Sequence, residues 1–281
     1  MRLVRFGQKG SERPGLLDAQ GRVRDLSGQI ADIDGAALAP ASLARLAALD
    51  PSQLPLVEEN VRFGPPVGGT RNFIAVGLNY AEHVAEAGRE LPEEPVLFNK
   101  APSCISGADD GFPVPRAATR TDWEVELAMV IGSRAQYLEK DSALDVVAGY
   151  CLCNDVSERS FQSQRGGQWV KGKSAEGFGP VGPWLLTRDE VADPQNIDLW
   201  LDLNGERMQT GSTSTMIFGV EHLVWYISQF MVLEPGDIIT TGTPPGVGNA
   251  RKPPRYLQPG DVVELGGEGL GRQRQVVRAS V

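Results

Sequence analysis

Histidine is nearly absent from this chain, which has only His83 and His222 among 281 residues. Any imidazole chemistry must run through one of them. Cysteine is scarce as well, at three residues: Cys104, Cys151 and Cys153. Cys151 and Cys153 stand two apart on an expected strand and lack partners at zinc spacing, so they read as reduced, buried thiols. Positive charge is the third shortage. Twenty-seven Lys and Arg face 36 Asp and Glu, giving a net charge of −9 and a pI near 4.9. That balance argues against a nucleic-acid partner and repels anionic small molecules, so an anionic substrate would have to be held by local positive charge. No apolar run reaches the roughly 18 residues a membrane helix needs, and Met1-Arg2-Leu3-Val4-Arg5-Phe6 lacks the apolar core of a signal peptide. The expectation is a soluble cytoplasmic protein without membrane contact.

Glycine and proline, by contrast, are abundant at 33 and 20 residues. Such turn-rich composition favours many short strands over a helical bundle. The length allows one large or two modest domains. Residues 1–66 read as a small β-rich domain: a strand at Leu3–Phe6, a turn at Asp18–Gly21 between two further strands, and a short helix from Ala41 to Leu49. The run Gly64–Gly69 reads as a linker, and residues 70–281 as the main domain.

The chain's most informative stretch is Asp122-Trp123-Glu124-Val125-Glu126-Leu127-Ala128-Met129-Val130-Ile131-Gly132. Its period-two alternation predicts a strand with Trp123, Val125 and Leu127 on one face and Asp122, Glu124 and Glu126 on the other. Same-face carboxylates roughly 7 Å apart repel by about 2 kcal/mol at an effective dielectric of 20. Water absorbs that cost on an ordinary solvated face, and a cation absorbs it in a site. The apolar continuation through Ile131 points to a strand entering a core. A second apolar strand, Val146 to Cys153, leads to a further acid, Asp155. Glu124, Glu126 and Asp155 at two strand ends would suit an oxygen-liking divalent ion such as Mg²⁺ or Mn²⁺.

Asn79 is expected to cap a short helix, Tyr80 to Ala87, that carries His83 and Glu86 on one face at spacing i, i+3. A carboxylate one turn away can orient and polarise an imidazole, although a surface pair is the commoner use of that spacing. His222 falls in a helix from Val220 to Met231 whose apolar stripe is core-like, and it is given no role. Lys171-Gly172-Lys173-Ser174 with Gly167 formally matches a phosphate loop. The match fails in context, because Phe178-Gly179-Pro180 breaks the helix that should follow. Two Pro-Gly-Asp turns, at 235–237 and 259–261, feed β-branched strands. Between them Thr241-Gly242-Thr243-Pro244-Pro245-Gly246-Val247-Gly248 offers glycines for close backbone approach and threonine hydroxyls.

Taken in order, five motifs resemble the fumarylacetoacetate hydrolase superfamily over residues 73–270. They are Gly77-Leu78-Asn79-Tyr80-Ala81-Glu82-His83, Asp122 to Leu127, Asn154-Asp155-Val156-Ser157-Glu158-Arg159, Lys171 to Ser174, and Thr241 to Gly248. The resemblance implies a mostly β fold with short helices (α+β), a distorted β-roll with the site at its mouth, a divalent metal and a homodimer. By motif, Glu124, Glu126 and Asp155 correspond to metal carboxylates, with Mg²⁺ first and Mn²⁺ or Ca²⁺ as alternatives. His83 and Glu86 correspond to a water-activating dyad on a lid helix, and Lys173 to the lysine that stabilises substrate charge. Gln162 and Thr243 correspond to substrate contacts, and Arg159 has a place in the same shell. The stretch from Ser157 to Lys173 is similar to a branch that cleaves 2,4-diketo-3-deoxy sugar acids. Glu176-Gly177 and Asn99 depart from that branch and are expected to bear on the substrate pocket. The implied reaction is hydrolysis of the C3–C4 bond of a 2,4-dioxo acid, a small anionic 2-oxo acid, to pyruvate and a second acid. Oxaloacetate decarboxylase, acylpyruvate or fumarylpyruvate hydrolase and 2-hydroxydienoate isomerase are the alternatives within the superfamily.

Overall fold

A computed structural model describes residues 1–57 and 60–280. Its centre is a ten-stranded sheet. From one edge the strands run Val23–Asp25, Arg13–Leu17, Arg2–Phe6, Gly179–Thr187, Val147–Asn154, Val125–Ile131, Ile238–Thr240, Phe73–Gly77 and Val96–Lys100, with Ile105–Gly107 added beside Gly179–Thr187. A five-stranded sheet contains Glu206–Ser212, Asp198–Leu203, Val262–Gly267, Gly271–Arg278 and Phe112–Pro113. The expected mostly β architecture with short helices is the observed one. Among the described residues five α-helices punctuate it: α1 (Pro40–Ala47), α2 (Ala81–Glu86), α3 (Arg159–Gln164), α4 (Val170–Lys173) and α5 (Val220–Ser228).

The N-terminal strands continue the main sheet, since Arg2 and Leu3 pair antiparallel with Leu186 and Leu185. Leu3, Leu16 and Leu26 share the principal core with Trp123, Leu127 and Ile239, whereas Val4, Phe6, Leu17 and Val23 form a small separate cluster. The expected boundary near residue 66 thus separates two stretches of chain that build one sheet.

Central position explains the burial of strand Val125–Ile131, in which every residue is buried. Antiparallel partners flank it on both sides, Val147–Asn154 and Ile238–Thr240. Both neighbours are rich in β-branched and apolar residues suited to a strand enclosed on both faces. The expected strand from Asp122 is interrupted. Thr121–Asp122 pairs with Ser157–Glu158, and regular pairing in the main sheet resumes only at Val125. The reason lies in side chains that take the backbone donors: Glu124 N–H donates to Asn154 Oδ1 and Val125 N–H to Gln209 Oε1. Asp122 also leaves the expected acidic face, because its carboxylate accepts from the N–H groups of Trp123, Gly248 and Asn249.

The repeated Pro-Gly-Asp device is one structure used twice. Gly236 and Gly260 have φ of 91° and 96°. Asp237 and Asp261 then reach back to accept from Glu234 and Gln258 N–H. The three cysteines are free and buried. Among the described residues no helix is long and apolar enough to cross a membrane.

Candidate active site

Register builds the site. Val125 pairs with Asn154 and Glu126 with Cys153, so the start of one central strand meets the end of the other. Glu124 and Asp155 are then immediate neighbours, joined by an Asp155 N–H to Glu124 O bond of 2.8 Å. Strand Ile238–Thr240 delivers Thr241, Gly242 and Thr243 to the same end. Gly242 N–H donates to Glu126 Oε2 at 2.9 Å, and the Thr243 hydroxyl donates to Val125 O. Gly242 has φ of 89°, and a Cβ there would lie 2.8 Å from Asn79 Cβ. Only glycine lets this loop pass so close to the Asn79 turn.

A cavity of about 540 Å³ opens at this end of the sheet, and all nine residues singled out in the sequence line it. Oxygen atoms of Glu124, Glu126 and Asp155 lie within 4.8 Å of one another, and all three residues are buried. Asp155 Oδ1 accepts from Lys100 Nζ at 2.5 Å and its Oδ2 from Lys173 Nζ at 2.5 Å. Lys173 Nζ also reaches Glu124 Oε2 at 2.7 Å. Arg159 Nη2 lies 2.7 Å from Glu124 Oε1 and 2.8 Å from Asp122 Oδ2; these are ion-pair distances, while Nε makes the aligned hydrogen bond to Asp122. The Arg159 charge is thereby committed to protein carboxylates, although its Nη1 also donates to Gln162 Oε1 at 3.3 Å.

These contacts divide the three acids electrostatically. Burial works to raise the Glu124 carboxyl, but Arg159 and Lys173 overcome it and hold the group well below the usual carboxylate range. Glu126 has no cationic side chain in bonding reach among the described residues. Burial first, then the charges of Asp155 and Glu124, push it well above the usual range. An all-oxygen set of three buried carboxylates, one of them without a counter-ion, fits a hard divalent cation such as Mg²⁺.

α2 brings the dyad over this floor. His83 Nδ1 lies 2.8 Å from Glu86 Oε1. Glu86 is itself fixed by Gly246 N–H, which reaches both oxygens at 3.0–3.1 Å. With Nδ1–H donated to the carboxylate, the lone pair on Nε2 is left as the basic site. His83 is 8 % exposed, so it faces inward and is not one half of a surface pair. Asn79 does not cap α2 as expected. Its side chain donates to Phe218 O and Thr241 O and accepts from Phe218 N–H, tying the α2 approach to the glycine loop.

α3 and α4 supply Arg159, Gln162 and Lys173. Gly172 is needed for their contact, since a Cβ there would lie 2.6 Å from Glu158 O and 2.7 Å from Gln162 Cβ. The phosphate-loop resemblance therefore reflects helix packing, and strand Gly179–Thr187 follows where a nucleotide-binding helix would be. Neither Glu176 nor Asn99 lines the cavity. Both are exposed, and Glu176 lies 3.7 Å from Lys9. The expected effect of these two positions on the pocket wall is not observed. Thr243's hydroxyl donates to Val125 O and accepts from Gln209 Nε2, so its proton is already used within the protein.

Sequence reasoning missed Lys100 and Gln209. Lys100 is fully buried and reaches Asp155 from the far end of an edge strand, and Asp155 holds its ammonium charged against the opposing effect of burial. The signal for it was a lysine ending the apolar strand Val96–Lys100, a position where charge without a partner is costly. Nothing local pointed to Gln209.

Residues 72–278 match the family described as fumarylacetoacetate (FAA) hydrolase C-terminal. A Burkholderia multivorans protein, named provisionally as a hydrolase, is 56 % identical with full coverage of both chains. The solved fumarylacetoacetate hydrolase of Exiguobacterium antarcticum is 37 % identical, with a TM-score of 0.88 over all of both chains. The 2-hydroxyhepta-2,4-diene-1,7-dioate isomerase of Mycobacterium marinum is 30 % identical with a TM-score of 0.76, covering all of this chain and 99 % of that one.

Proposed function

Given that this chain belongs to the fumarylacetoacetate hydrolase family, we propose that it is a metal-dependent hydrolase of 2,4-dioxo acids. It cleaves the C3–C4 bond to give pyruvate and a second acid. The representative substrate is a 2,4-diketo-3-deoxy sugar acid, with L-2,4-diketo-3-deoxyrhamnonate as the first probe, and the working unit is a homodimer. The observation that carries the reading is the His83–Glu86 pair facing the same cavity as three buried carboxylates and Lys173. Decarboxylation of a 2-oxo acid needs no attacking water and so no base that generates one.

Glu124, Glu126 and Asp155 would hold the divalent ion. When bound, it supplies Lewis-acid polarisation of the substrate's carboxylate and 2-oxo oxygens. The chain's own residues do the rest. His83 Nε2 takes a proton from water while Glu86 holds Nδ1–H and stabilises the imidazolium. The resulting hydroxide adds to C4, and the tetrahedral adduct collapses with rupture of C3–C4. Its electron pair passes to the pyruvate fragment as an enolate, and C3 then takes up a proton. The Lys173 ammonium, 2 % exposed at the cavity floor, stabilises the developing negative charge. Gln162 and Asn249 line the cavity and can meet a hydroxylated tail.

A panel of 2,4-dioxo acids incubated with the protein, with Mg²⁺ and with chelator, tests the reading by chromatography of products. Pyruvate and the partner acid should appear only with the metal. A rearranged but uncleaved product would assign the protein to the isomerase side of the family.

A further inference from the structure

One amide from the five-stranded sheet serves both halves of the cavity without entering it. Gln209, on strand Glu206–Ser212, is 1 % exposed and does not line the cavity. Its Oε1 accepts from Val125 N–H at 3.0 Å, between the floor acids Glu124 and Glu126. Its Nε2 donates to Thr243 Oγ1 at 2.8 Å and to Pro244 O at 2.7 Å, so both amide protons are used. A reversed amide would set a donor against Val125 N–H and an acceptor against Pro244 O, which leaves one orientation. The residues it holds lie in the middle of a loop whose two ends have different tasks. Gly242 N–H donates to Glu126 Oε2 on the floor, and Gly246 N–H holds both oxygens of Glu86 in the dyad. Among the described residues His83 and Gly246 are the only partners of the Glu86 carboxylate. The same strand presses on the loop from beneath. A Cβ on Gly211 would overlap Pro244, and Gly246 has no room for a Cβ against Met208 O. Gln209 is the only side chain of that strand hydrogen-bonded to residues 242–246 among the described residues.

We propose that Gln209 is a positioning residue for the His83–Glu86 pair. By fixing Thr243 and Pro244 it sets where Gly246 N–H meets Glu86, and Glu86 in turn sets the tautomer and direction of the His83 ring. The bond to Val125 ties the same amide to the floor, so one side chain fixes the placement of the base relative to the metal carboxylates. This rests on the dyad reading above and deepens it. A general base has to stand within hydrogen-bond reach of its water while the floor holds the carbonyl, and a displacement of about 1 Å costs on the order of 10²-fold in rate. Because Gln209 is outside the cavity, its loss should act on kcat and leave KM nearly alone.

Two variants test this. Gln209→Met keeps the length of the side chain and removes all its bonds. Thr243→Val keeps the shape of Thr243 and removes only the hydroxyl that Gln209 reaches. The chain has two histidines, so ¹⁵N-labelled imidazole spectra resolve the His83 ring with His222 as internal control. The wild-type His83 should appear as a single Nδ1–H tautomer. Gln209→Met should give mixed tautomers, Thr243→Val the same change in smaller measure, and His222 should be unmoved in both. On the 2,4-dioxo acid that the wild type cleaves, Gln209→Met should lower kcat by about 10- to 100-fold with KM within about 3-fold. A lower Tm with the His83 ring and kcat unchanged makes Gln209 a structural residue alone and overturns the proposal. A lower kcat with the His83 ring unchanged overturns it too, because the effect then does not pass through Glu86. If Gln209→Met does not fold, the His83 ring in Thr243→Val decides the matter: mixed tautomers support the route and an unchanged ring overturns it. If the wild type cleaves no dioxo acid, the dioxo-acid reading fails by itself, and the ring spectra still decide for or against Gln209.

Discussion

Replacing Glu126 by Gln keeps the side chain's shape and removes one of three charges from the cavity floor. In the wild type each carboxylate pair, at up to 4.8 Å, repels by about 3.5 kcal/mol or more at an effective dielectric of 20. Two such pairs act on Glu126, which has no cation of its own, and burial adds to them. Without a metal the native protein therefore holds a proton on Glu126 from the ordinary value of 4.5 upward to the raised native value. The native state binds more protons than the unfolded state in that window, so metal-free stability falls as pH rises through it. A divalent ion replaces the proton. Its gross attraction to one carboxylate at about 2.1 Å is roughly 16 kcal/mol at the same dielectric, before dehydration of the ion, which exceeds the repulsion it relieves. Mg²⁺ affinity should thus increase with pH in the same window, with release of up to one proton per ion. Calorimetric titration in two buffers of different ionisation enthalpy reads both quantities. Glu126→Gln should bind Mg²⁺ about 100-fold more weakly or worse, about 3 kcal/mol, and should release no proton. Unchanged affinity with unchanged proton release would refute Glu126 as a ligand and the electrostatic argument with it.

Two further outcomes follow from the same geometry. His83→Ala should lower cleavage of a 2,4-dioxo acid by roughly 10²–10⁴-fold at saturating substrate while reducing oxaloacetate decarboxylation less, and equal losses would remove His83 as the water-activating base. Lys100→Met strips one of two ammonium partners from buried Asp155, a contact worth about 6.6 kcal/mol gross at 2.5 Å and an effective dielectric of 20. The net loss should be about 3–5 kcal/mol, read as a fall in Tm of roughly 6–20 °C, and a fall under about 2 °C would contradict it.

Much of the site was legible because its residues sit at the ends of strongly patterned strands. The apolar run into Asn154 placed Asp155, and the alternation of Glu124 and Glu126 placed the other two acids. The spacing of His83 and Glu86 on α2 is local, so it survived folding intact. What was illegible depends on contacts between distant residues. Asp122 belongs to the same alternation but is drawn away by backbone donors at Gly248 and Asn249, more than 120 positions later. Asn79 looked like a helix cap because of its position before α2, yet its partners are Phe218 and Thr241. Lys100 and Gln209 acquire their roles only when an edge strand and the second sheet close around Asp155 and Val125. The N-terminal strands were read as a separate unit because nothing in residues 1–66 announces that Arg2–Phe6 will pair with Gly179–Thr187.

Carrying out the reaction in ¹⁸O-labelled water tests the central claim most directly. Hydrolysis at C4 places one oxygen from water in the carboxylate of the second acid and leaves pyruvate as the other product. With Mg²⁺ and a 2,4-dioxo acid, mass spectrometry should find that acid carrying one ¹⁸O per turnover in wild type, and the signal should collapse in His83→Ala. An isomerised dioxo acid without cleavage, or release of carbon dioxide in place of pyruvate and a labelled acid, would contradict the account.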